Sequence, residues 1–82
     1  MNKTMIKWAI QSKVICLVKF DMCMHNISED KAYINVIQTE LFKLLQDEST
    51  KLYLEPKEFI EEAYRIEVNK SIKDMLEFIA KV

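Results

Sequence analysis

The chain has 82 residues, half of them hydrophobic, with 12 basic and 13 acidic side chains and a formal net charge of -1. That is one domain with a single modest core, near the size at which self-association or a protein partner helps a lone core to hold. A balanced charge supplies no general field for phosphate backbones or anionic lipid, which argues against nucleic acid and membrane as partners. With no glycine in the chain, phosphate-cradling loops, dinucleotide turns and nucleophile elbows are set aside, because their tight positions suit glycine alone.

The first predicted helix runs from about Lys3 to His25. Lys3, Lys7, Gln11, Asp21 and His25 fall on one narrow arc, and Met5, Ile6, Trp8, Ile10, Ile15, Leu17, Phe20, Cys23 and Met24 cover most of the rest. An apolar arc that wide belongs to a central helix or to one that shares a face with a partner. Lys7, Lys13, Lys19 and Asp21 interrupt it, so neither a signal core nor a membrane span is expected. Cys16 and Cys23 sit two turns apart, about 10 Å by helical rise, too far for a bridge. Two reduced, buried thiols in a cytoplasmic protein are the expectation.

Asn26-Ile27-Ser28 ends that helix, with Ser28 as the N-cap of the next, Glu29 and Asp30 in its first turn and Ile27 as a staple. The second helix is expected to continue to about Gln46. Its inward stripe is read as Tyr33, Ile34, Ile37, Leu41, Leu44 and Leu45, with Lys31, Asn35, Gln38, Thr39 and Lys43 outside. Phe42 leaves that stripe. Its expected cover is the segment Leu52-Tyr53-Leu54, which is short and alternating and is read as extended.

Pro56 opens the third helix at its first position, with Phe59, Ile60, Ala63 and Ile66 on one face and Glu58, Glu61, Glu62 and Arg65 opposite. Glu61 and Arg65 have the order of a favourable i,i+4 pair. Asn69 is expected to stop this helix in a left-handed cap, and Ser71 with Asp74 to cap a last helix over Ile72 to Lys81 that carries Ile72, Met75, Leu76 and Ile79 inward. A single helix running through both is the alternative. The expected fold is all-α, a compact bundle of about four helices with a short extended segment between the second and third.

Chemistry-bearing residues are few. Met22-Cys23-Met24-His25 gathers soft ligands of the kind that hold Cu(I) or zinc, but on a helix Cys23 and His25 point to opposite sides and no second ligand group exists. A cysteine nucleophile would need the only histidine, which neither Cys16 nor Cys23 reaches from the same helix. Glu55, Glu58, Glu61, Glu62 and Glu67 concentrate negative charge, and most of it lies on an outward face. Glu67 falls near Ile60 and Ala63 and is expected to be partly buried or turned toward a partner's basic group. Ile27-Ser28 with Ala32 has the look of a helix-turn-helix start, without the short turn or the basic face that would follow. No catalytic residue, metal, cofactor or small-molecule substrate is expected.

The run from Ile27-Ser28 and Ala32 through Leu41 to Asp47 and Thr50, to Leu52-Tyr53-Leu54-Glu55 and Phe59-Ile60, resembles short uncharacterised helical proteins of Gram-positive bacteria, some of them encoded in operons of the toxin–antitoxin type. The resemblance spans Ile27 to about Tyr64. It implies a bacterial or mobile-element protein of the cytosol that acts through contacts and carries over no catalytic residue. The expected function is a non-enzymatic protein-interaction module, antitoxin-like or self-associating as a homodimer, with Trp8, Phe42, Tyr53 and Glu67 as its protein-binding residues. The alternative is a small DNA-binding transcriptional regulator.

Overall fold

In the computed structural model, which describes residues 2–81, the chain is all-α. Its helices are α1 (Lys3–His25), α2 (Glu29–Ile37), α3 (Glu40–Gln46), α4 (Lys57–Asn69) and α5 (Ile72–Ala80), with 3-10 turns at Glu48–Thr50 and Leu52–Leu54. There is no strand among the described residues, and no helix there is long and apolar enough to cross a membrane.

α1 begins on the Asn2 side chain, which accepts the Met5 amide, and ends at Asn26 in the left-handed conformation with φ 52°. Ser28 then caps α2, accepting the Lys31 amide. α1 is the spine of the fold: α2, α3, α4 and the Leu52–Leu54 turn all pack on it. Ile10, Val14, Leu17 and Val18 form its buried face, meeting Ala32 and Val36 of α2, Leu41 and Leu45 of α3, and Ile60, Ala63, Tyr64 and Ile66 of α4. α5 adds Met75 to that core and stacks Phe78 on Phe59, with ring centroids 5.0 Å apart.

Several expectations are corrected. The second predicted helix breaks at Thr39, whose hydroxyl donates to the Val36 carbonyl at 2.7 Å and accepts the Phe42 amide at 3.1 Å, so it ends α2 and caps α3. The break resets the helical phase. Thr39 is therefore buried, while Tyr33, Ile34 and Ile37, read as inward, face out. Leu52-Tyr53-Leu54 is wound rather than extended, because Lys51 takes a left-handed conformation (φ 56°) and the Thr50 hydroxyl holds the Leu44 carbonyl and the Leu52 amide. α4 and α5 are separate, and Ser71 caps α5 as expected. Asn69, however, is helical, and α4 ends on Lys70 without a left-handed residue. On α5, Ile72 and Leu76 are exposed while Phe78 turns inward. Arg65 pairs with Glu62, not Glu61, in a two-pronged contact that lowers the Glu62 pKa and raises that of Arg65.

Candidate interaction surface

Two features of the molecule are out of the ordinary: a buried polar seam beneath α1, and an uncovered apolar face on α1 and α2. The seam is the one the sequence reading missed. Asp21, placed on the outward arc, is 0% exposed. Its carboxylate accepts the His25 ring Nδ1 at 2.6 Å and the Asn35 amide at 3.0 Å, which ties the last turns of α1 to α2. The helix wheel did put Asp21 and His25 on one face, and a lone acid four residues before the only histidine was the available signal. What the wheel could not show is that α2 and α4 close over that face.

Tyr64 lies against the same seam, 0% exposed and edge-on to Phe20 at 6.3 Å. Its hydroxyl is near Asp21 but makes no hydrogen bond of normal geometry. Burial, and then the Asp21 charge, push the Tyr64 pKa above its ordinary value near 10. The folded chain thus holds the Tyr64 proton more tightly than the unfolded chain. This contribution is complete below about pH 10 and is lost as pH rises beyond it, by about 1.4 kcal/mol per pH unit. Tyr64→Phe should leave stability at pH 7 within about 1 kcal/mol, since the hydroxyl lacks a partner, and should flatten the alkaline loss. Urea titrations at pH 7, 10 and 11 check this; equal alkaline slopes in the two proteins would contradict it.

Glu67 closes the seam from α4. Its carboxylate oxygens accept the backbone amides of Glu40 at 2.8 Å and Leu41 at 2.9 Å, at the positive end of α3. The expected partial burial is therefore met, and the carboxylate faces the backbone amides at a helix start of its own chain rather than a basic group. With Asp21, His25, Asn35, Gln38, Thr39, Tyr64 and Val68 it lines a cleft of about 330 Å³, in which Asp21 bonds His25 and Asn35 while Glu67 and Thr39 bond backbone groups of α2 and α3.

The other expected binding residues separate sharply. Tyr53 is 7% exposed, turned into the core by the 3-10 winding while Lys13 holds its carbonyl at 3.2 Å, so it offers no surface to a partner. Phe42 is partly buried against the core, and α3 packs on the Leu52–Leu54 turn, of which Leu52 is buried and Leu54 exposed. Trp8 is 75% exposed.

Trp8 belongs to a continuous face. With Lys7, Gln11, Ser12, Ile15 and Cys16 it lines a shallow groove of about 570 Å³ on α1. Gln11 and Ile15 also border a second groove, of about 700 Å³, whose floor includes Val14 and Val18 and whose far wall is Glu29, Asp30, Tyr33 and Ile34 of α2. Met5 and Ile37 extend the uncovered apolar surface on the two helices. The cysteines are both free, Cys16 half-buried in the first groove and Cys23 exposed, so the expectation of two buried thiols fails for Cys23. Among the described residues no group of three His, Cys, Asp or Glu side chains is placed to hold a metal ion.

No protein-family model, curated protein or solved structure matches the chain, so the functional reading rests on this surface.

Proposed function

We propose that this chain is a non-enzymatic interaction module that binds protein through the face formed by α1 and α2. The observation that supports it best is the continuous run of exposed Trp8, Ile15, Tyr33 and Ile34 along two adjoining grooves. Contiguous apolar surface of this kind, rimmed by charge, marks protein contacts in soluble proteins, and a protruding tryptophan is a favoured anchor. The wide apolar arc of the first helix is thereby divided: one side meets the core, and the other is left for a partner. DNA binding has less behind it, since α3 is only seven residues long and its Lys43 is paired with Glu40 at 3.7 Å.

A photo-crosslinking amino acid in place of Trp8, introduced in cells that make the protein, tests the reading. A discrete adduct should form from position 8 and be absent from the same probe at exposed Glu58. Failure of position 8 to yield any adduct would contradict it.

A further inference from the structure

Resting on that reading, we infer that the partner at this face is a second copy of the chain, docked about a two-fold axis that runs along the α1–α2 groove. An isologous interface must be complementary to itself, so a face that serves one carries both charges and a shared apolar centre. This face does. Lys19 stands on the α1 wall of the groove and Glu29 and Asp30 stand on the α2 wall, across a floor that includes Val14 and Val18. None of these three charges takes part in an ion pair among the described residues, where the pairs are His25 with Asp21, Lys43 with Glu40 and Arg65 with Glu62.

A two-fold axis along the groove exchanges its walls. It lays α1 of each molecule over α2 of the other, so each Lys19 meets the second copy's Glu29 and Asp30, twice over. The same operation sets the exposed aromatic and aliphatic side chains of α1 against Tyr33 and Ile34 of the second copy. A partner of uniform charge would satisfy one wall and repel the other.

Charge exchange tests the arrangement. Lys19→Glu alone should weaken the wild-type dimer at least tenfold in dissociation constant, because both contacts become repulsive, and so should the double variant Glu29→Lys/Asp30→Lys. Mixed together, the two variants place opposite charges at both contacts, and a heterodimer at least as tight as the wild-type dimer should form. Circular dichroism verifies the fold of each. Trp8→Ala, a change at an exposed site, supplies an arm that does not depend on the charge variants and should also weaken the dimer at least tenfold. Failure of the mixture to recover dimer, or a dimer indifferent to all of these changes, overturns the inference. A crosslinked adduct from position 8 whose mass is not twice that of the chain also overturns it, and leaves the reading of the face as a protein-binding surface intact.

Discussion

Replacing His25 by leucine will lower the free energy of unfolding by about 2 to 3 kcal/mol. Asp21 is wholly buried, and its carboxylate has two donors in the fold, the imidazole at 2.6 Å and the Asn35 amide at 3.0 Å. Leucine fills the space of the ring, keeps water out and donates nothing, so a buried carboxylate is left with one partner. The figure sits toward the lower end for a broken buried pair because the imidazole itself is partly open, with 37% of its side chain exposed. Asp21→Asn should cost less, about 1 kcal/mol, because it removes the charge that needs the donors. Urea unfolding of the two variants at pH 7 gives the comparison, and a His25→Leu protein as stable as Asp21→Asn would show that the seam does not hold the helices as described.

Glu67→Ala will cost about 2 kcal/mol, and Glu67→Gln about half of that. The carboxylate satisfies two backbone amides at the start of α3, and Thr39 supplies a third bond, to Phe42. Alanine orphans the Glu40 and Leu41 amides next to a fully buried Leu41 side chain. Glutamine keeps one acceptor and loses the charge that complements the helix end. Hydrogen exchange supplies a local signature: the Glu40 and Leu41 amides should lose protection in the alanine variant while those of α1 stay slow. Unchanged protection at both would mean that Thr39 alone caps the helix.

These two residues also show what could be read from the chain and what could not. Local signals were legible: the limits of α1, Ser28 and Ser71 as caps and the Ile60-Ala63-Ile66 face all follow from residues a few positions apart, while Pro56, expected as the first helical residue, is the extended N-cap one position before α4. The α2–α3 break was not, because apolar residues recur through it at helical spacing and part of what stabilises it, Glu67, lies 27 residues away along the chain. Thr39-Glu40 is a plausible cap by itself, but a threonine inside a periodic apolar run is read as surface. Asp21 fails for a related reason. A wheel sorts side chains into arcs, and only packing decides which arc is covered: α2 and α4 covered the one carrying Asp21 and left the one carrying Trp8 and Ile15 bare. Leu52-Tyr53-Leu54 alternates like a strand, but with no strand among the described residues to pair with it the backbone satisfies itself in a 3-10 turn.

Of the candidate surface, Trp8 was legible and its neighbours on α2 were misassigned. Tyr33 and Ile34 were placed in the core because they share spacing with Leu41. The phase change at Thr39 turns them outward instead, beside α1, and it is this that joins two helices into one apolar face.

The central claim, that this face joins two copies of the chain, is tested most directly by light scattering on gel-filtered protein over a range from about 1 to 200 µM. The expected result is a mass that rises with concentration toward twice the 9.8 kDa of the chain, and that stays lower at every concentration for Trp8→Ala. A wild-type protein that remains at the mass of one chain throughout would contradict it.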